Sequence, residues 1–184
     1  MKVFDFVTDT STLCVFDLVA HRHRLSDDAD WWSLSSEAIA EINRGNAVIV
    51  DLGMDGKFSV AVHEAADFEP SVVCNINCPS GRIFVGAGEE ITSDGLEPEC
   101  VRGGAFLTVM PGCYRVAIAK SSPMGVLVCL SKSSGASNAV IANMSAEDNM
   151  LMNAGILQAV GVPDSKVELL LQNSAGFAGS IPCP

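Results

Sequence analysis

Apolar and polar positions alternate along this chain in short stretches broken by glycine, proline and acidic residues, a pattern that predicts many short strands and little helix. Lys2 to Val7 has strand character. Thr12 to Ala20 is a second stretch, dense in Val, Phe and Leu and too short for a stable helix. His21 to Trp32 is a polar connection that ends in two indoles. A short helix is expected next: Ser33, Ser35 or Ser36 can cap it, and Glu37 sits in its first turn, where the helix dipole favours an acid. Leu34, Ala38, Ile39 and Ile42 fall on one face, and Gly45 stands just past the end.

The clearest hairpin signal follows. Asn46 to Leu52 runs into Gly53-Met54-Asp55-Gly56, and Lys57 to Glu64 then alternates, with Phe58, Val60 and Val62 on one face and Lys57, Ser59, Ala61 and His63 on the other. Ser71 to Asn77 and Arg82 to Val85 are further strands, divided by Cys78-Pro79-Ser80-Gly81. Ala105 to Met110, Pro111-Gly112 and Cys113 to Ala119 predict a second hairpin, and Met124 to Ser131 another strand. The expected fold is mainly β within the α+β class: an antiparallel sandwich or rolled sheet with one short N-terminal helix. Ser133-Ser134-Gly135-Ala136-Ser137 reads as a break. The expected organisation is therefore a β-rich core over 1–132 and a partly helical C-terminal extension over 133–184 packed on the same domain.

Composition narrows the class. The 184 residues are 48% hydrophobic and 18% charged, which suits one ordinary folded domain and excludes a disordered chain. The acidic start lacks the apolar stretch of a signal peptide, and no run reaches the ~18 apolar residues of a membrane span. The expected location is the cytoplasm. Seven cysteines, an odd number mostly inside apolar runs, fit a reducing compartment. The net charge of −11 repels phosphate backbones and anionic lipid, so neither nucleic acid nor membrane is expected as a partner, and a basic protein is favoured. The alternative is that the charge serves solubility alone.

Most candidate chemistry is weak. His21 and His23, two apart and followed by Asp27, Asp28 and Asp30, resemble a metal site only if a strand places both rings on one face, and they lack a recognised ligand spacing. Pairing of Arg22 and Arg24 with the Asp cluster is the simpler reading, so no metal is expected. Cys74-Asn75-Ile76-Asn77-Cys78 is neither a thioredoxin motif nor half of a zinc framework. Gly86-Ala87-Gly88-Glu89-Glu90 lacks a third glycine and offers carboxylates where a phosphate would sit, so no nucleotide or other cofactor is expected. No Ser lies in a nucleophile elbow.

Two features fit a binding surface better. Trp31 and Trp32 sit beside acids, where an exposed indole makes a good anchor, although both can equally fasten the helix to the sheet. Gly86 to Gly104 carries Glu89, Glu90, Asp94, Glu97 and Glu99 against one Arg102, as expected of a long acidic loop.

Thr8-Asp9-Thr10-Ser11-Thr12-Leu13, His23 to Ser33 with its Asp-Trp-Trp-Ser, Glu41 to Asn46, Gly53 to Gly56 and Pro111 to Tyr114 together resemble an uncharacterised bacterial family of acidic β-rich proteins found near secreted-toxin genes, including those of type VI secretion. The resemblance covers about the first two-thirds of the chain. It implies an immunity protein: a cytoplasmic inhibitor, not an enzyme, that blocks the active site of a cognate toxin, here expected to be a basic nuclease. It carries over no catalytic residues. The expected partner surface comprises Asp27, Asp28, Asp30, Trp31, Trp32, Glu89, Glu90, Asp94, Glu97 and Glu99. A small-ligand-binding or sensing β domain, with homo-oligomerisation left open, is the alternative, and a hydrolase using His21, His23 and the neighbouring Asp residues comes third.

Overall fold

The computed structural model describes residues 1–24, 27, 31–33, 35–91, 98 and 100–138. The expected C-terminal extension beyond Asn138 lies outside them. Nine strands among the described residues form two sheets: β1 (Lys2–Thr8), β2 (Thr12–Phe16), β3 (Ala47–Asp51), β4 (Gly56–His63), β5 (Val72–Cys78), β6 (Arg82–Ala87), β7 (Ala105–Thr108), β8 (Gly112–Ser122) and β9 (Gly125–Lys132). One sheet has the order β1-β4-β9-β8-β5 and the other β3-β2-β6-β7. Among the described residues one helix, α1, spans Ser35–Arg44, and 3-10 segments occupy Leu18–Arg24, Trp31–Ser33 and Gly88–Glu90. The chain is thus mostly β, as its short alternating stretches imply.

The strand positions match the sequence pattern, but the pairings do not. The Gly53–Gly56 turn does not close a hairpin: β3 pairs with β2 in one sheet, while β4 pairs with β1 and β9 in the other. Pro111-Gly112 likewise carries the chain from β7 in the four-stranded sheet to β8 in the five-stranded one. Tight turns fit an arc between layers as well as a hairpin, and the choice is made by which distant strand offers the better face. The hairpin that does form within a sheet is β8–β9, with Ser122 opposite Gly125. One pair departs from the expected antiparallel arrangement: β4 and β9 run parallel.

Inward positions of both sheets build one core, with Phe6, Leu13, Val15, Phe58, Val60, Ile83, Val85, Val116 and Val128 all within 1% of complete burial. On β4 the inward set is Phe58 and Val60, as the alternation requires. A second apolar cluster covers the outer face of the four-stranded sheet, where Cys14, Phe16, Ala47 and Phe84 meet Trp31, Trp32 and Ile91. Every residue of β2 is therefore buried, which accounts for its unbroken apolar run.

That run ends sooner than the sequence pattern suggests. The strand stops at Phe16, and Leu18–Arg24 turns into a 3-10 segment. Asp17, fully buried, is the cause: its carboxylate accepts from Val19 N at 2.9 Å, from Ser80 N at 2.8 Å and from Ser80 Oγ at 2.7 Å. Gly45 ends α1 as expected. With φ of +72°, its N–H donates to the Ile42 carbonyl, and Asn46 N donates to that of Glu41, a Schellman closure.

Residues 133–138 pack on the core rather than leaving it. Asn138 N donates to the Asn43 carbonyl, its Nδ2 donates to Ile42 O and Asn75 O, and its Oδ1 accepts from Asn75 N. One side chain thereby joins the end of α1 to the edge of β5.

Candidate partner-binding surface

The strands place two different environments at the two ends of β2. At its Phe16 end lies a buried polar network. At its Thr12 end three connections converge: the β1–β2 turn, the β3–β4 turn and the excursion from Gly88 to Gly104.

The network at the Phe16 end is centred on Glu41, fully buried on the apolar side of α1. Its carboxylate accepts from His23 Nε2 at 2.9 Å, Arg24 Nε at 3.0 Å, Arg44 Nη1 at 2.7 Å and Asn46 Nδ2 at 2.6 Å. Burial pushes the carboxyl pKa upward, but the hydrogen bonds from Asn46, His23 and Arg24 outweigh it and bring it down to about 2. Arg24 also donates to Asp27 at 2.9 Å and Glu37 at 2.6 Å. Asp27, still 31% exposed, is thus tied to Arg24. An acid on the apolar face of a helix was the available signal for Glu41, and sequence reasoning passed over it.

Trp31 and Trp32 are not surface anchors: they are 4% and 7% exposed. Arg24 lies 4.8 Å from the centre of the Trp31 ring, and the edge of Trp32 approaches Gly88. Both indoles fasten the Leu18–Arg24 and Trp31–Ser33 segments onto the outer sheet face, because each ring gains more by burial than a rim position allows.

His21 and His23 do not form a shared ligand face. They lie on a 3-10 segment rather than a strand; His21 is 3% exposed between Phe16 and Trp31, whereas His23 points to Glu41. Among the described residues no group of three or more His, Cys, Asp or Glu is placed to hold a metal. Three buried cysteines are poor nucleophiles: burial raises the thiol of Cys14 well above its ordinary range, that of Cys74 to about 11 and that of Cys78 to about 12.

At the Thr12 end Glu89 is a structural brace. Thr8 Oγ1 donates to it at 3.0 Å and Asp9 N at 2.6 Å, and Arg102 lies 3.7 Å away. Glu90, 9% exposed, accepts from Arg102 N. Arg102 in turn donates to Asp9 at 2.5 Å, and its carbonyl accepts from Val7 N. The excursion therefore leaves at Ile91 and returns at Cys100 beside the same turn. Asp28, Asp30, Asp94, Glu97 and Glu99 lie outside the described residues.

The β3–β4 turn is tied to this end by Ser11, which donates Oγ to Asp55 at 2.7 Å and accepts from Leu52 N, and by Lys120, which donates to the Leu52 carbonyl. Met124 lies against Gly56. Consequently four of the seven large apolar side chains left exposed among the described residues gather here: Val7, Met54, Val101 and Met124, at 40%, 42%, 81% and 38%. Asp9, Asp51 and Asp55 stand exposed in or beside the same turns, together with Lys57 opposite Val7 and Arg102 paired to Asp9. Apolar side chains rimmed by charge are the make-up of a protein-binding patch. Sequence reasoning found the acidity but not the apolar centre, because isolated Val and Met in turns carry no periodic signal.

Fold and surface together define a two-sheet, mostly β protein with exposed apolar and acidic residues at one end. Residues 1–145 match DUF6386, a family of unknown function, and the chain belongs to that family. Two solved structures are similar to it. One, described as crocagin biosynthetic gene J, is 19% identical with a TM-score of 0.48, over 72% of this chain and 97% of that one. The other, ComJ from Bacillus subtilis, described as an inhibitor of the DNA-degrading activity of NucA, is 10% identical with a TM-score of 0.42, over 72% of this chain and 96% of that one. No curated protein matches the chain. Among the described residues, no helix is long and apolar enough to cross a membrane.

Proposed function

We propose that this protein is a non-catalytic inhibitor, an immunity protein that binds a secreted antibacterial toxin in the cytoplasm and occludes its active site. The toxin is a basic nuclease delivered by a type VI secretion system. The observation that carries the reading is the gathering of Val7, Met54, Val101 and Met124 at one end, beside exposed Asp9, Asp51 and Asp55. The apolar centre supplies affinity on desolvation, while these acids, on a chain of net charge −11, attract a surface built to grip phosphate. Asp94, Glu97 and Glu99 are assigned to the same partner surface, since Ile91 and Cys100, which flank their stretch, lie at this end. Asp28 and Asp30 are further candidates for contact with the partner. The resemblance of the Asp-Trp-Trp-Ser region to proteins found near toxin genes supports the same reading.

The test is co-expression with the C-terminal domain encoded by the adjacent large open reading frame. Rescue of growth and a stable complex are expected, both lost in a Met54→Asp, Val101→Asp double variant whose circular dichroism is unchanged. Toxicity without rescue by the parent protein would overturn the assignment.

A further inference from the structure

Among the described residues, four buried nitrogens near the start of α1 have no hydrogen-bond partner: both ring nitrogens of His21 and the indole Nε1 of Trp31 and Trp32. Buried polar groups are rarely left so, since each forgoes the hydrogen bonds water would give it. All four belong to one cap, the Leu18–Arg24 and Trp31–Ser33 segments on the outer face of the four-stranded sheet. The cap is held by ring packing, with His21 5.1 Å from Phe16 and 5.5 Å from Trp31 between centroids, and by Arg24 over Trp31.

We propose that this cap is an acid-released lid: a proton taken up by His21 drives the ring out from between Phe16 and Trp31 and lifts the cap from the sheet. Glu41 and Asp17 attract an imidazolium, but their oxygens are already engaged, and burial outweighs the attraction. From α1, Glu41 has one oxygen shared by His23, Arg24 and Arg44 and the other taken by Asn46. From the end of β2, both Asp17 oxygens are taken by Val19 and Ser80. On the cap's own segment, His23 and Arg24 repel a new positive charge. Burial accordingly holds the His21 pKa down at about 4 against an ordinary 6.5. In the lifted cap all four nitrogens meet water, so the open form recovers hydrogen bonds that the closed one forgoes. Ile91 and Cys100 pack in the same cluster, so lifting the cap also loosens both ends of the acidic excursion.

The lid is independent of any partner, and the isolated protein tests it. Trp31 and Trp32 are its two tryptophans, so intrinsic fluorescence reports the cap alone. Between pH 6.5 and 4 the emission is expected to shift red and acrylamide quenching to rise several-fold, reversibly, while far-UV circular dichroism of the sheets persists. His21→Phe is expected to keep the buried emission through that window. In the parent protein, the assigned His21 ring is expected to titrate together with the fluorescence by NMR, a measurement that stands even where the Phe variant does not fold. The proposal is overturned by a single transition in which cap and sheets are lost together, by a Phe variant that opens at the parent's pH, or by a His21 ring that titrates near 6.5 with the emission unmoved.

Discussion

Asn46 Nδ2 donates to Glu41 Oε2 at 2.6 Å, and this bond lets one buried carboxylate serve His23, Arg24 and Arg44 through its other oxygen. The three donor side chains reach it from more exposed positions, at 45%, 14% and 59%. The network joins the first 3-10 segment to α1 and α1 to the start of β3.

Glu41→Ala is expected to destabilise the protein by about 3 kcal/mol, the usual scale for removing one partner of a buried ion pair. Arg24 would then face the interior with its central acceptor gone. Urea unfolding of the two proteins measures this, and a difference below about 0.5 kcal/mol, the scale of an ordinary surface change, would show the network to be ornamental.

Stability should fall on acidification in two overlapping windows. Burial lowers the His21 pKa to about 4, so the unfolded chain takes up its proton first and stability declines from pH 6.5 toward 4. Glu41 is held at about 2 against an ordinary 4.5, so its contribution is complete above 4.5 and is lost as pH falls from there toward 2. Unfolding free energies measured between pH 7 and 3 should show both slopes, with His21→Phe flattening only the upper one.

Acidic residues at the turn end should separate by role. Glu89 is engaged by Thr8 and Asp9, so Glu89→Lys leaves their donors unsatisfied and should cost about 1–3 kcal/mol of stability. Asp51→Lys with Asp55→Lys alters exposed acids and should slow association with the toxin at low salt, with a smaller change in dissociation. Stopped-flow binding across ionic strength distinguishes them. Equal association rates at every salt concentration would remove Asp51 and Asp55 from the interface.

Asn138 should matter more than a residue beyond the last strand normally does. Asn138→Ala removes its side-chain bonds to Ile42 and Asn75 and should cost about 1–3 kcal/mol, with faster amide exchange at Asn75. Gly45→Ala tests the same strap from the other side. A methyl there would fall 2.0 Å from the Ala136 carbonyl oxygen at a φ of +72°. Unchanged Asn75 exchange in both variants would mean that the strap does not secure the β5 edge.

The sequence by itself determined where strands and the helix lie, because those depend on neighbours one to four residues apart: the alternation through Lys57–His63, the apolar face of α1 and the glycine that ends it. It also settled the acidity. Tertiary structure decided which strands pair, since Val48 meets Val15 rather than a residue across the Gly53–Gly56 turn, and that choice rests on contacts far apart in the chain. It decided too that Trp31 and Trp32 face inward, because the second face of β2 needed a cover, a demand no local pattern encodes. Glu89 became a brace and Asp55 stayed exposed through the same long-range placement: Thr8, 81 residues from Glu89 in sequence, arrives within hydrogen-bond reach only once β1 and β6 are in place.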